Sequence, residues 1–269
     1  MTAFSNHFAF EFKTGLRNST LLLMNYLFPL AFYAMMGLVM TQINPLFKDT
    51  MIPALVLFAA MASLMLGLPG PLVESREAGI YRSFKINGVS AFAILAIPAL
   101  TTIFHALIVA GIISLTAAPL FDAVAPTNWV NFTLVTLVAV FTLGAMGALI
   151  GVVSNSSRSV VLLSQLIFLP SMLIGGLMMP LDVLPESVRT FSALLPTTHA
   201  MQAYLGYAFD MPTVFDPQIS LILLAASGLI SLLLAVYLFN WDSQNKTHRG
   251  HPALALLALV PFLVGTFLM

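Results

Sequence analysis

The sequence has no cysteine and, with 7% Asp, Glu, Lys and Arg, far less charge than the roughly one quarter of a soluble domain. The first absence excludes disulfides, thiolate metal sites and a catalytic thiol. The second excludes an ordinary globular fold, because so few charges cannot wet a globular surface. Net charge is zero and no Lys/Arg cluster follows one face, so an electrostatic footprint for nucleic acid is missing as well. Residues 1 to 20 lack the apolar core of a cleavable signal, and none is expected.

Apolar residues make up 59% of the chain, and they are organised into runs near the length of about 20 residues that crosses a bilayer as a helix. Hydropathy and punctuation by Pro, Gly, Asn or charge predict spans near 21–42, 51–72, 91–118, 129–153, 159–180 and 218–239. A candidate seventh is 252–269, about 18 residues with Pro261 in the middle. The distribution of Lys and Arg orients the set. With the N-terminus in the cytoplasm, the inner segments hold Lys13, Arg17, Arg76, Arg82, Lys85, Arg158, Lys246 and Arg249, against Lys48 and Arg189 outside. The expected fold class is an all-α polytopic membrane protein forming a single domain over 1–269.

Two segments between or before spans carry helical spacing. Phe4, Phe8, Phe12 and Leu16 recur every four residues, with Asn6, His7, Glu11, Lys13 and Arg17 largely elsewhere on the wheel, which predicts an interfacial helix over 2–18. The outer segment 181–217 repeats apolar residues at helical spacing between Pro180, Pro185 and Pro196. It predicts short helices near 185–194 and 197–209, lying on or dipping into the outer leaflet.

The inner loop that runs from Glu74 to Ser90 alternates charge at Glu74, Arg76, Glu77, Arg82 and Lys85, with Ile80, Phe84 and Ile86 as apolar points. Such a stretch suits a groove of another cytoplasmic protein. It equally suits a solvated loop whose charges only set topology, and composition does not separate the two.

At these residues the chain resembles the permease subunits of ABC exporters of the ABC-2 type, which have the type V exporter fold. Glu74, then Arg76-Glu77 and Gly79, then Ser90 fit the family's pattern between the second and third spans, while Gly88 stands where that pattern has Pro. The run Ser171 to Pro180, with Gly175 and Gly176, followed by Leu184-Pro185 and Leu195-Pro196, fits the pattern at the end of the fifth span. The likeness covers about residues 2 to 240; the candidate seventh span departs from it.

The resemblance implies a six-span bundle with extracytoplasmic re-entrant helices and outward transport energised by a separate ABC ATPase. It implies a homodimer, or a heterodimer with a similar permease, in a bacterial or archaeal plasma membrane. It makes 74–89 a coupling helix, with Glu74, Arg76, Glu77, Gly79, Tyr81 and Arg82 as the coupling residues. The chain itself has no Gly-x-x-x-x-Gly-Lys-[Ser/Thr] loop, hence no backbone cradle for ATP. No cofactor is expected here; ATP and Mg would sit on the partner.

Asn25, His105 and Gln165 are polar residues inside spans and read as interhelical hydrogen-bond formers. Gly144, Gly147, Ala148 and Gly151 form a small-residue face on the fourth span, which reads as close packing. The 21 Phe and 15 Met lean toward a hydrophobic or amphiphilic cargo such as a drug, a lipid or a glycolipid-like molecule. A secondary transporter or channel is the alternative, but no Asp, Glu, Lys or Arg lies well inside a span and no internal repeat stands out. A membrane-embedded lipid-modifying enzyme is less favoured, since only Glu74 and Glu77 stand near one another inside.

Overall fold

The structure is a computed structural model that describes the backbone of residues 3–242 and 249–268 and the side chains of 8, 9, 11–242 and 249–267. The side chains of Phe4, Asn6 and His7, and all of Lys246 and Met269, lie outside these residues. Every described secondary-structure element is a helix. After α1 (Ala3–Arg17) come α2 (Ser19–Ile43) and α3 (Phe47–Glu77), then the short α4 (Ile80–Ile86). Next are α5 (Ala91–Phe121), α6 (Trp129–Val153), α7 (Ser157–Ile174), α8 (Glu186–Ser192), α9 (Pro196–Ala208) and α10 (Pro217–Leu238). A last apolar element, α11 (Pro252–Phe267), is 3-10 helical over Pro252–Leu259 and α-helical from Val260.

Six of these, α2, α3, α5, α6, α7 and α10, are long and apolar enough to cross a membrane, so the chain is an integral, multi-pass membrane protein. Helices are the form such segments must take, because lipid offers no partner for backbone N–H and C=O groups. Several of their Thr and Ser hydroxyls turn back on the preceding turn, as Thr101 and Thr102 do on the Pro98 carbonyl at 2.9 and 2.8 Å. The sequence places the end of the second span at 72, whereas α3 continues to Glu77. A π-helical stretch at Ala62–Gly67 precedes Pro69, which then occupies the first turn of a renewed α-helical segment, where its missing N–H leaves no donor unused. The fifth span stops at Ile174 rather than 180, and the chain turns at Gly176 with φ of 87°.

Burial separates centre from flank. The most apolar stretch of α3 is 94% buried and that of α6 is 83% buried, whereas α2 and α7 reach 28% and 22%. The small face read on the fourth span is what lets α6 and α3 meet. A Cβ at Gly147 would overlap the Leu64 carbonyl, and one at Gly151 would lie 3.0 Å from the Leu72 side chain. Thr142 then bonds α6 to α10 through the Leu224 carbonyl at 2.9 Å.

Segment 181–209 holds two short helices close to the predicted bounds, α8 and α9. α9 is not a surface element: Thr197, Thr198, His199, Met201 and Tyr204 are all at most 1% exposed. Its Tyr204 hydroxyl meets Thr136 of α6 at 2.7 Å, and the Ala208 carbonyl at its C-terminal end accepts from Thr127 N–H at 2.8 Å. α11 runs antiparallel along α10. Gly250 lies beside Tyr237 and Leu238, Ser227 donates to the Ala258 carbonyl at 2.7 Å, and Phe262 stacks on His199 with ring centroids 4.9 Å apart.

Candidate functional site

The bundle has a basic end, with α1, Arg76, Arg82, Lys85 and Arg158, and an opposite end with α8 and α9. At the opposite end α3 and α5 are pinned level: the Lys48 ammonium lies 3.4 Å from Asp122, and the Lys48 carbonyl accepts from Val124 N–H at 3.0 Å. Both helices have 31 residues, about 46 Å at about 1.5 Å per residue against a hydrocarbon core of about 30 Å. Both helices therefore exceed that core, and residues 74–90 join them at the basic end as a projection.

Local sequence builds this projection. Gly79 adopts φ of 72°, a left-handed conformation that Gly takes without penalty, so α3 ends and α4 begins in a tight turn. Gly88, also left-handed at φ of 73°, ends α4 in the same way, and Ser90 then caps α5 by accepting from Ala93 N–H at 3.2 Å. Gly88 thus makes a turn that Pro, restricted to negative φ, cannot make.

The projection has two faces. On the inward one Arg76 is 6% exposed and donates to the carbonyls of Val152, at 2.8 Å, and Ser154. These are orphan acceptors at the C-terminal end of α6, where the helix dipole also favours a cation. Tyr81 is 5% exposed and packs on Phe239 with centroids 5.4 Å apart. Burial raises the Tyr81 phenol above its ordinary value, against the pull of its Ser75 hydrogen bond and the Arg76 charge, so it stays neutral. Arg82 pairs with Asp242 at 2.9 Å, and Lys85 lies 5.9 Å over the Trp241 ring.

The outward face is different in kind. Glu74, Glu77, Ile80, Ser83, Ile86 and Asn87 are exposed, Ile86 at 87%. Of the residues singled out in the loop, Glu74 and Glu77 therefore look out, Gly79 makes the turn, Arg82 sits at the border, and Arg76 and Tyr81 face the bundle. Arg76 is closed off from direct contact with another protein by its two carbonyl partners. Sequence reasoning missed the seat on which α4 rests, Phe239, Trp241 and Asp242. One of only two tryptophans beside an acid, just past a span, was the available signal.

The second motif lies at the opposite end. A Cβ on Gly175 would overlap Thr197, and one on Gly176 would come within 3.3 Å of Met201, so both glycines let the end of α7 abut α9. Pro185 and Pro196 open α8 and α9, and Pro180 precedes a 3-10 turn. His105 bonds across spans to the Tyr26 hydroxyl at 2.6 Å. Asn25 Oδ1 and Gln165 Oε1 have no hydrogen-bond partner, contrary to expectation. Among the described residues no group of three or more His, Asp or Glu side chains could hold a metal.

The family model described as ABC-2 type transporter matches residues 2–209, which hold the projection and the Gly175 to Pro196 motif alike. The chain belongs to that family. It is thereby a membrane component of the ABC transporter type, a class whose permeases normally work with an ATPase subunit. It is 26% identical over 206 residues to "Putative transport permease YvfS" of Bacillus subtilis (strain 168), a match covering 70% of this chain and 78% of that one. No solved structure matches it.

Proposed function

We propose that this ABC-2 permease is the membrane subunit of an ATP-driven exporter whose projection at 74–89 sits in a groove of the ATPase subunit. The N-terminus and the projection are then cytoplasmic, as the bias of Lys and Arg requires, and α8 and α9 lie outside. ATP and Mg are bound by the ATPase, this chain acts as a transport subunit rather than an enzyme, and a second copy or a similar permease completes the pathway. The cargo is hydrophobic or amphiphilic and moves outward.

The observation that carries this reading is the division of the projection into two faces. The inward face ties the end of α3 to the end of α6 through Arg76, and α4 to the end of α10 through Tyr81 and Arg82. The outward face leaves Glu77, Ile80 and Ile86 for a partner. A push on the second is thereby delivered to two spans at once, which a loop present only to set topology does not need.

Co-expression with the ATPase encoded nearest to it provides the test. Glu77→Lys reverses a charge and Ile86→Asp puts one on an apolar contact. In a desolvated groove, losses of about 2–5 kcal/mol are expected, against less than about 1 kcal/mol in a solvated loop. Both variants should insert normally and lose co-purification and transport together. Wild-type association in both would refute the coupling role, and transport by the chain without any ATPase would favour a secondary transporter.

A further inference from the structure

At the end of the bundle opposite the projection, a cleft of about 390 Å³ opens between α8, the loop that precedes α10 and the end of α11. α8 contributes Glu186, Arg189 and Thr190, the loop contributes Val214 and Phe215, and α11 contributes Thr266. The three α8 residues stand at i, i+3 and i+4, on one face of their helix. The loop and α11 lie beyond residue 209, where the family match ends. Part of the lining therefore falls outside the stretch that the family's pattern describes.

Most polar groups around the cleft are already engaged. Gln202 Oε1 accepts from the Val214 and Phe215 N–H groups at 2.6 and 3.0 Å, which holds the loop in place. His199 bonds the Ala193 carbonyl through Nε2 at 2.7 Å and stacks on Phe215 and Phe262. The Thr190 and Thr266 hydroxyls donate to the Glu186 and Leu263 carbonyls at 3.0 and 2.7 Å, and each oxygen can still accept. What is left is a pair of opposite charges. The Glu186 carboxylate and the Arg189 guanidinium lie about one turn apart on α8, yet among the described residues neither forms an ion pair or a side-chain hydrogen bond. By contrast, Lys48 at the same end is paired with Asp122. Val183 and Phe191, on the same segment, are 60% and 52% exposed. Apolar side chains uncovered beside a charged cleft suit the boundary between lipid headgroups and acyl chains.

We propose that this cleft binds the phosphoethanolamine headgroup of a phospholipid. Arg189 holds the phosphate, since a planar guanidinium matches phosphate oxygens in a bidentate fashion. The ammonium lies on Glu186 and donates to its carboxylate and to the hydroxyl oxygens of Thr190 and Thr266. A ligand carrying both signs completes both charges, which a simple anion or cation does not. A choline headgroup has no N–H to donate, and the net negative headgroup of phosphatidylglycerol is repelled by Glu186. The acyl chains leave past Val183 and Phe191. The site goes beyond the transport reading and rests on it only for placing the cleft at the outer leaflet.

The full chain without ATPase, stripped of lipid in detergent, is titrated with dioleoyl phosphatidylethanolamine, phosphatidylcholine and phosphatidylglycerol, and bound lipid is counted by native mass spectrometry. Phosphatidylethanolamine should bind at least about tenfold more tightly than either of the others, the effect of about 1.4 kcal/mol. Arg189→Gln should weaken its binding by a similar factor. Glu186→Gln should weaken it too while strengthening that of phosphatidylglycerol, an inversion that loosening of α8 alone would not produce. Thr266→Trp, which fills the cleft from α11 and keeps both charges, should block binding. Asp182→Asn, an acid at the same end but outside the cleft, should change nothing. Glycerophosphoethanolamine, the same headgroup without chains, separates two sources of this chemistry: much weaker binding assigns the site to lipid, and binding as tight as the lipid's overturns that assignment. Equal binding of all three lipids overturns the proposal, as does wild-type selectivity in both Gln variants with an unchanged elution profile. The ATPase does not enter this assay, so failure here with intact ATPase co-purification removes the site and leaves the transport reading standing.

Discussion

Gly147 shows how one missing side chain sets the distance between two spans. Its α-carbon faces the Leu64 carbonyl inside the π-helical stretch of α3, and added carbon has nowhere to go but into backbone. Gly147→Ala is expected to destabilise the protein by about 1–3 kcal/mol, as overpacking of a tight core does. Gly111→Ala, where nothing lies within 4 Å, is expected to be neutral or to stabilise by up to about 1 kcal/mol, because Ala restricts the unfolded chain. Thermal unfolding of the two variants in one detergent compares them directly. His199 adds a dependence on pH. Burial holds its imidazole down to about 4, with the Ala193 carbonyl bond pulling the other way. The unfolded chain takes up this proton near pH 6.5, before the folded one does. Stability from His199 is therefore complete above about 6.5 and is lost as pH falls through about 4, by at most a few kcal/mol. Wild-type melting temperature should drop from pH 7.5 to pH 5, and His199→Gln should flatten that slope.

Among the elements, α11 is the one whose length and conformation must be read together. Sixteen residues of α-helix reach about 24 Å, short of the hydrocarbon core. Its first eight residues are 3-10 helical, with a rise of about 2.0 Å each, which brings the whole to about 28 Å. Its contacts run the length of α10, from Tyr237 beside Gly250 to Leu223 beside Gly265. A seventh crossing is the expected outcome, with residue 251 and residue 267 on opposite sides. The chain has no cysteine, so His251→Cys and Phe267→Cys each introduce a single thiol. In oriented vesicles an impermeant maleimide should label one from inside and the other from outside, and labelling of both from one side would show that α11 does not cross. Hydropathy located this segment, but only its contacts with Ser227 and His199 show why a short, proline-bearing stretch is held straight.

Across the whole molecule, composition and hydropathy determined most of the architecture. Lipid solvent forces uncharged runs of about 20 residues into helices, and six such runs are legible without any tertiary information. The prolines and glycines marked the turns, so α8 and α9 were placed from apolar spacing between Pro180, Pro185 and Pro196. The glycine face of the fourth span pointed to close packing, though not to α3 as its partner. What the sequence could not carry were contacts between residues far apart in the chain. That Arg76 closes the end of α6, that Trp241 and Asp242 seat α4, and that α8 and α11 share a cleft all depend on how the spans are arranged around one another. Local hydropathy cannot decide this, since every face of an apolar helix is compatible with lipid. Which face is covered is set by side-chain shape and by the few polar groups that must find partners, and those partners exist only once the bundle has formed.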